Sequence, residues 1–308
     1  MNAPVNHRPF DSVQAAATAF RLENEGWCLA RRLVSPSTIG RINAQLDADF
    51  DATPFCTGDF YGERTKRFGR LLARSPAVAS LVMHPTILAL AERVLAPWCD
   101  TIQLNVTQAI EIHPDALAQF PHRDQDMWRG AAGRHEYLIN VIWPLTPFTE
   151  NNGATLIWPD THGAKALEEE AGEDPIVAVS DPGDAIVFLG STLHGAGANL
   201  SHEVRRGIVI GYSLGWLKPY ENPWLAYPPE VARTFPRPLA ELAGYRQHRP
   251  NLGNFEGQCP SVLLDDTGDD HLGAVDALRP DQTALLSYYV EKQRTERTVA
   301  PNGAGVPR

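Results

Sequence analysis

The spacing of hydrophobic residues predicts that the first third of the chain is mainly helical. Val13–Glu25 places apolar residues at helical intervals, and the glycine that follows, Gly26, is a typical helix terminator. Ser35 and Ser37 are suitable N-caps for a second helix, whose apolar face begins at Ile39. A short strand over 27–33 and a helical stretch over 75–95, interrupted at Pro85, complete this part.

From about residue 101 the pattern changes to short apolar or alternating segments, separated mostly by Pro, Gly, Asn or Asp. This pattern is typical of β-strands joined by turns. Many short strands with turn-rich gaps predict a sandwich or jelly roll, with the preceding helices packed against one outer face. The segments are 101–112, 137–145, 154–158, 175–179, 185–189 and 207–214.

We expect a single domain over 1–308, since no break in composition divides the chain. Its predicted parts are a helical buttress (13–97), a β core (101–217), a Pro-rich segment (218–292) and a disordered tail (293–308). The Pro-rich segment is expected to be irregular. Two interpretations of this segment stay open: a lid over a site, or a segment packed against the barrel.

The composition excludes some classes of partner. Of the 308 residues, 43% are hydrophobic and 21% are charged, as in ordinary globular proteins. The formal net charge of −10 disfavours nucleic acid, because binding a phosphate backbone needs a concentrated basic surface. The chain also has a local basic cluster, formed by Arg64, Lys66, Arg67, Arg70 and Arg74. Two interpretations of this cluster stay open: a solvated helix face, or a site for an anionic small molecule.

The sequence has no signal for secretion or for a membrane. Its four cysteines have no paired spacing, and its N-terminus lacks the basic-then-apolar order of a signal peptide. No apolar run approaches the roughly 20 residues of a membrane helix. We therefore expect a cytoplasmic protein that binds a small-molecule substrate, without a membrane partner. A homodimer stays open.

Two separate segments offer the ligands of a non-haem iron site. Iron(II) that activates oxygen needs few protein ligands, and two histidines with one carboxylate meet that need. His122 and Asp124 are two residues apart, so an extended segment presents both on one side, and His194 follows a predicted strand. A second His-x-Asp pair, His113 with Asp115, encloses a proline and suits a turn instead.

A dicarboxylate chelated to such an iron would need a fixed cation for its far end, and an arginine can grip a carboxylate with two hydrogen bonds. Arg205 opens the predicted strand RRGIVIGYSLGW. Alternation places it on one face with Gly207 and Gly211, which leave room for a ligand, and puts Arg206 on the other face. Arg205 is therefore favoured, with an exposed surface pair as the alternative, and Arg67 is a second candidate cation.

These motifs together resemble those of the phytanoyl-CoA hydroxylase (phytanoyl-CoA dioxygenase) family of iron(II)- and 2-oxoglutarate-dependent oxygenases. The matching pieces occur in the family's order across most of the chain. They are GERTKRFGRLL (62–72), QFPHRDQDMW (119–128), ENNGATLIWPDTHG (150–163) and HGAGANLSHEVRR (194–206). The resemblance implies a double-stranded β-helix core, cupin-like in architecture and buttressed by the N-terminal helices.

The resemblance also implies cofactors and residue roles. The cofactors are Fe(II), 2-oxoglutarate as co-substrate and O2, with ascorbate as a reductant in vitro. The facial triad of metal ligands would be His122, Asp124 and His194. The co-substrate would be held by Arg205 at its distal carboxylate and further by Gln119, Thr155 and Arg67.

The implied activity is oxidation, with hydroxylation as the default, of an unactivated C–H bond in a small, largely apolar metabolite or natural product. 2-Oxoglutarate and O2 would become succinate and CO2. The alternatives are a cupin-like metal-dependent isomerase or hydrolase, or a non-catalytic ligand-binding jelly roll. Aromatic residues near the motifs are candidates for an apolar substrate pocket, with the hydrophobic core as the alternative; they are Phe60, Tyr61, Phe120, Trp128, Trp143 and Trp216.

Overall fold

Two antiparallel sheets form the centre of the structure, a computed structural model that describes residues 13–128, 130, 133–167, 174–265 and 271–299. The strands are β1 (Trp27–Ala30), β2 (Thr65–Phe68), β3 (Ile102–Ile112), β4 (Leu138–Pro144), β5 (Thr155–Ile157), β6 (Ile176–Val177), β7 (Ala185–Leu189), β8 (His194–Ala196) and β9 (Arg205–Leu214). The larger sheet has the order β1-β7-β4-β9-β3-β2, and the smaller has the order β6-β5-β8. The facing sheets form a jelly roll, as predicted.

The helices of the described residues are α1 (Val13–Glu25), α2 (Pro36–Ala52), α3 (Leu71–Arg74), α4 (Ala79–Val82), α5 (Pro85–Leu95), α6 (Pro223–Ala226), α7 (Pro229–Ala232), α8 (Arg237–Leu242) and α9 (Pro280–Val299). Of these, α1 to α6 and α8 contribute buried side chains to the core on the outer face of the larger sheet, whereas the leucines and tyrosines of α9 are exposed. Short 3-10 turns occur at Pro76–Val78, Ala96–Trp98, Asp124–Met127, Gly163–Leu167 and Pro260–Leu264.

The helix-covered face of the sheet is the main hydrophobic core. Leu22 of α1, Ile42 of α2 and Leu90 of α5 pack in one cluster with Val141 of β4 and Ile210 of β9, and all five are fully buried. Each such side chain stabilises the fold by about 2 kcal/mol relative to its exposed state. The N-terminal helices therefore fix the position of the central strands β4 and β9.

Local sequence explains where α1 ends and where α2 begins. At the end of α1, Gly26 adopts a left-handed φ of +79°, and a Cβ there would lie 2.6 Å from Thr192 Oγ1. At the start of α2, the hydroxyl of Ser35 accepts a hydrogen bond from the backbone N–H of Thr38 at 3.2 Å. Both boundaries agree with the sequence predictions.

Several elements differ from the predictions. The basic segment 65–68 is strand β2, paired with β3 at the edge of the large sheet, rather than part of a helix. The Pro-rich segment contains α6, α7 and α8, and Tyr227 and Leu239 are buried in the core, so it packs against the barrel. The tail predicted to be disordered from 293 is helical through Val299 in α9, and 300–308 lie outside the described residues.

Among the described residues, no single helix has the length and hydropathy to cross a membrane, whereas the bent pair Pro76–Val82 and Pro85–Trp98 meets that test when taken together.

Candidate metal centre and its cavity

Three potential metal ligands meet between the two sheets. Their ligand atoms, one each from His122, Asp124 and His194, all lie within 4.8 Å of one another. The backbone brings the histidines together, because His122 and His194 form an antiparallel bridge. The N···O distance is 2.9 Å from His122 N to His194 O and 3.0 Å from His194 N to His122 O. Asp124 begins the 3-10 turn Asp124–Met127 directly after this bridge.

Hydrogen bonds fix which nitrogen of each histidine faces the centre. Nδ1 of His122 lies 2.9 Å from the carbonyl of Phe120, and Nδ1 of His194 lies 3.1 Å from the carbonyl of Thr192. A carbonyl only accepts, so each Nδ1 carries the proton and each Nε2 keeps its lone pair. These Nε2 atoms lie 3.4 Å (His122) and 3.6 Å (His194) from the carboxylate oxygens of Asp124.

The carboxylate of Asp124 is oriented by a neighbouring strand. Asn140 of β4 donates from Nδ2 to Asp124 Oδ2 at 2.8 Å. Burial by itself would raise the pKa of Asp124, but His194 and His122, with Arg67, outweigh it and hold this pKa below its usual value. Burial lowers the pKa of His194. Both residues are therefore in the ligand form, anionic and neutral, at neutral pH.

The three side chains open into a cavity of about 390 Å³. Alternate residues of the central strands line it, including Val106, Gln108 and Ile110 of β3 and Leu138, Asn140 and Ile142 of β4. Thr155 of β5 and His194, Gly195 and Ala196 of β8 form the opposite wall. The space therefore lies between the two sheets of the jelly roll.

Arg205 lies at one end of this cavity with few partners. Its side chain is only 3% exposed, and Nη2 donates to Thr155 Oγ1 at 3.4 Å. The guanidinium carbon lies 3.6 Å from the ring centroid of Phe148. Nε has no hydrogen-bond partner among the described residues. Burial lowers the pKa of Arg205 to about 9, so the group stays cationic at neutral pH without a neighbouring anion.

Arg67 is a second, partly buried cation on the same cavity. Its Nη1 donates to Gln108 Oε1 at 3.2 Å, and its guanidinium carbon lies 5.0 Å from the ring centroid of Tyr61. Its Nε, like that of Arg205, has no partner among the described residues. Burial lowers the pKa of Arg67. Two guanidinium groups thus face one space, to which Asp124 contributes a carboxylate.

Gln119 lies beside the metal ligands on the segment that pairs with β8. Its Oε1 accepts from Ala196 N at 3.4 Å, and its Nε2 donates to the carbonyl of Phe60 at 3.3 Å. At the mouth, the hydroxyls of Tyr61 and Tyr220 are 2.5 Å apart, which links the segment before β2 to the Pro-rich segment. Tyr220 therefore gives the Pro-rich segment a place in the cavity wall.

The structure brings the predicted metal and co-substrate residues together, but only Phe60 and Tyr61 of the predicted pocket aromatics line the cavity. Trp143 is fully buried on the helix side of β4, because it alternates with the cavity-facing Asn140 and Ile142. The pocket prediction for Trp143 is wrong for this reason.

Three further aromatic predictions are also wrong. Phe120 is 74% exposed and lines a neighbouring surface depression, which shares His122, Arg123 and Asp126 with the cavity. Trp128 packs against the main core and donates from Nε1 to the carbonyl of Lys218 at 2.9 Å. Trp216 donates from Nε1 to the carbonyl of Trp98 at 3.0 Å. These side chains are close to the motifs in sequence but do not line the cavity.

The basic cluster fits neither reading offered by the sequence. Its members do not share a helix face, and of the five only Arg67 lines the cavity. The others have partners within the protein: Arg64 with the carbonyl of Pro114, Lys66 with Glu111 and the carbonyl of Phe50, Arg70 with the carbonyl of Ala226, and Arg74 with Asp49.

The second His-x-Asp pair lies outside the cavity. Nε2 of His113 is 2.6 Å from a carboxylate oxygen of Glu111, and Asp115 adopts a left-handed φ of +66° in a turn. The turn predicted from Pro114 is therefore present. Among the described residues, only His122, Asp124 and His194 form a cluster suited to a metal ion.

The site residues that sequence reasoning missed include Gln108, Asn140, Phe148 and Tyr220. Asn140 was detectable as the one polar residue in the apolar run YLINVIWPL, since a buried amide needs partners. Gln108 shares an alternating face of β3 with Val106 and Ile110. Phe148 and Tyr220 lie on irregular segments, where no periodicity marks a face.

The donor set fits iron(II) and a dianionic chelator. Two imidazole nitrogens and one carboxylate suit a divalent iron while leaving coordination positions free. The unpartnered Nε of Arg205 and that of Arg67, both buried, suit a ligand that brings carboxylate oxygens.

Comparison with known proteins identifies the family. Residues 22–207 match the sequence profile of the family described as phytanoyl-CoA dioxygenase (PhyH). The chain belongs to the phytanoyl-CoA dioxygenase family. It is 31% identical over 265 residues to dioxygenase FrzG of Cladobotryum sp, covering 77% of this chain and 86% of the relative. It is 26% identical over 263 residues to multifunctional dioxygenase prhA of Penicillium brasilianum, covering 79% and 87%.

Solved structures confirm the fold of this family member. The non-haem α-ketoglutarate-dependent epimerase SnoN from nogalamycin biosynthesis has a TM-score of 0.55 at 18% identity, covering 65% of this chain and 83% of SnoN. HygX from Streptomyces hygroscopicus, with nickel and 2-oxoglutarate bound, has a TM-score of 0.51 at 14% identity, covering 67% and 89%. The predictions of a jelly-roll fold and of a dioxygenase of this family are confirmed.

Proposed function

We propose that this protein is an Fe(II)- and 2-oxoglutarate-dependent dioxygenase that hydroxylates an unactivated C–H bond of a small, largely apolar metabolite or natural product. One observation carries the proposal: a three-ligand metal set and the buried Arg205, which has no anionic partner among the described residues, share one cavity. A cupin-like isomerase or hydrolase needs the metal set without the cation. A ligand-binding jelly roll needs no labile iron.

In this proposal His122, Asp124 and His194 hold the iron. The histidines offer Nε2 because their Nδ1 protons are engaged by backbone carbonyls. Asn140 keeps the carboxylate of Asp124 turned toward them. Such hydrogen-bonded partners orient a ligand and raise metal affinity.

The co-substrate is held by donors at both ends. Arg205, with Thr155 beside it, pairs with the distal carboxylate, and Arg67 and Gln119 donate to oxygens nearer the metal ligands. Charge supports this assignment, because iron(II), the Asp124 carboxylate and a dianion together leave one net negative charge in a buried space. Arg205 offsets that charge, as a buried charge requires.

The chemistry that the bound group supplies is the conversion of 2-oxoglutarate and O2 to succinate and CO2, coupled to conversion of a substrate C–H bond to C–OH. The protein's own contribution is to position the substrate and exclude water. Phe60, Tyr61 and Tyr220 narrow the mouth of the cavity and restrict access of solvent to the metal ligands.

The substrate side of the cavity is mixed in character. Val106, Met127 and Leu138 supply apolar surface, and Asn105 and Arg123 supply polar groups. A volume of about 390 Å³ suits a compact molecule beside the co-substrate. The basic residues around β2 pair within the protein, which favours a free molecule over a CoA thioester. Structural neighbours bind natural products: nogalamycin RO in SnoN and hygromycin B in HygX.

A cytoplasmic location belongs to the same proposal. All four cysteines are free, which suits a reducing compartment.

Succinate release tests this function. The protein is incubated with 2-oxoglutarate, Fe(II), ascorbate and a panel of natural-product scaffolds, and succinate is quantified. We expect substrate-dependent succinate from the wild type and from His202→Ala, which alters an exposed histidine, but none from His194→Ala. Equal succinate from His194→Ala and the wild type would refute the metal assignment.

A further inference from the structure

The orientation of Arg205 depends on unusually few contacts. The strand β9 fixes its backbone through pairing with β3 and β4, but its side chain has one long hydrogen bond, 3.4 Å to Thr155 Oγ1. Its Nε has no partner among the described residues. A guanidinium with so few hydrogen bonds needs another contact to hold its plane.

Phe148 provides that contact from outside the cavity. The Arg205 guanidinium carbon lies 3.6 Å from the centroid of the Phe148 ring, which is the distance of direct stacking on the ring face. The ring is 1% exposed and packs with Ile142 and Ile157 between the sheets, and its backbone is bridged to Ser180. Phe148 does not line the cavity, so it would affect a ligand there only through Arg205.

Gly207 provides the space that the ring occupies. It lies two residues after Arg205 on the same face of β9, and a Cβ built on it would lie 2.8 Å from Phe148 Cζ. Its φ is not in the left-handed region, so the backbone itself would accept alanine. The absence of a side chain therefore serves the close approach of the Phe148 ring.

We propose that Phe148 and Gly207 are positioning residues that hold the Arg205 guanidinium flat against an aromatic face, with its N–H edge toward the cavity. They thereby set the affinity for the distal carboxylate of 2-oxoglutarate. This inference rests on the proposed function, because it assumes that Arg205 binds that carboxylate. The two residues should affect how tightly the distal carboxylate binds, and they should not affect how the keto-acid end of 2-oxoglutarate chelates the metal.

Binding without turnover tests the assignment. The Zn(II)-loaded protein is titrated calorimetrically with 2-oxoglutarate and, separately, with oxalate, which chelates a metal but has no distal carboxylate. The variants are Phe148→Leu, which keeps an apolar side chain, Gly207→Ala, Arg205→Met and the double variant Arg205→Met with Phe148→Leu. Each variant is checked by thermal unfolding and by its Zn(II) affinity.

We expect Phe148→Leu to raise the Kd of 2-oxoglutarate by about 5- to 30-fold, the range expected for a desolvated cation–π contact. Gly207→Ala should raise it in the same direction by a smaller factor, because the ring can shift partway. The Kd of oxalate should change less than about twofold in both. In the Arg205→Met background, Phe148→Leu should have no further effect, since the group that it positions is gone.

Three results would overturn the inference. The first is an unchanged 2-oxoglutarate Kd in Phe148→Leu, and the second is a rise of the oxalate Kd equal to that of 2-oxoglutarate. The third is that Phe148→Leu raises the 2-oxoglutarate Kd by the same factor in the Arg205→Met background as in the wild type. The last two would mean that the ring supports the cavity in general. If the wild-type protein bound oxalate but not 2-oxoglutarate, the proposed function would fail together with this inference. Normal wild-type binding with unaffected variants would refute the positioning role alone.

Discussion

The two faces of the large sheet differ in how completely the protein pairs its own charged side chains. On the helix side, Ile139, Val141 and Ile210 are buried among other apolar residues, and Arg206 is paired with Glu111. On the cavity side, Arg205 and the partly buried Arg67 each have a buried guanidinium Nε with no partner among the described residues. The same strands thus contribute to the stability of the core on one face and carry unpaired hydrogen-bond donors on the other.

Arg205 and Arg206 show this difference in adjacent residues of β9. Arg206 donates from Nε to Glu111 at 2.6 Å, contacts Asp47 at 2.6 Å and lies 4.3 Å from the ring centroid of Phe50. Arg205 has no anionic partner among the described residues. One arginine pairs within the protein, whereas the other is a buried charge that the proposed function assigns to the co-substrate.

The largest difference between the two faces is expected when each arginine is replaced by methionine. Arg205→Met should raise the Kd of 2-oxoglutarate about 100-fold or more, because the carboxylate loses its buried cation. The same change should stabilise the ligand-free fold by about 1–3 kcal/mol, because an unpaired buried charge is removed. Calorimetry and chemical denaturation measure the two effects.

Arg206→Met is the matched control. It should lower the free energy of unfolding by about 2 kcal/mol, since Glu111 loses a partner, and leave 2-oxoglutarate binding unchanged. Destabilisation of the ligand-free protein by both variants would contradict the contrast between the two faces.

Asn140→Ala should weaken metal binding by about 10- to 100-fold, because Asp124 loses the donor that orients it. Competition with a chelator of known affinity measures the effect. Asn151→Ala, at an exposed position, is the control and should leave the metal affinity unchanged. A metal affinity in Asn140→Ala equal to that of the control would show that Asp124 needs no such partner.

A matched pair of valines compares the packing of the two faces. Val141→Ala, on the helix side, should lower the free energy of unfolding by about 2 kcal/mol through lost burial. Val106→Ala, in the cavity wall, should cost less than about 1 kcal/mol, because its neighbouring space is already open. Urea denaturation of the metal-free variants distinguishes the two, and equal losses would count against the contrast.

The smallest expected effect is in the pH dependence of stability. Burial lowers the pKa of His194, so in acid the unfolded chain binds a proton that the folded protein resists. The metal-free wild type should therefore lose stability as the pH falls from about 6.5, the ordinary histidine pKa. His194→Gln should lose less over the same range when melting temperatures are compared. A steeper loss in His194→Gln would reverse the assigned direction.

Patterning predicted those elements whose local signals agreed with their packing. The boundaries of α1 follow from periodicity and a glycine terminator, and alternation along β9 separates Arg205 from Arg206 as the structure does. Strand β2 was missed because it is short and basic, and its pairing with β3 decides its conformation. The apolar run of β4 hid which face Trp143 occupies, since a strand buried on both sides has no alternation to read.

The metal ligands were predictable because spacing and residue type combine there, whereas the cavity wall was not. Tyr220 of the cavity wall, and Phe148 behind Arg205, lie on irregular segments whose position depends on the whole fold. Phe120 and Trp216 were predicted from sequence proximity to the motifs, which does not determine side-chain direction. The co-substrate roles of Arg205, Arg67, Gln119 and Thr155 stay predictions.

The most direct test of the central claim is an anaerobic titration of the Fe(II)-loaded protein with 2-oxoglutarate, monitored by visible absorption. Chelation of iron by a keto acid should produce a weak charge-transfer band in the wild type. We predict that the band is absent in His194→Ala and needs a much higher 2-oxoglutarate concentration in Arg205→Met. A band of full intensity in His194→Ala, at wild-type concentrations, would contradict the proposed metal centre.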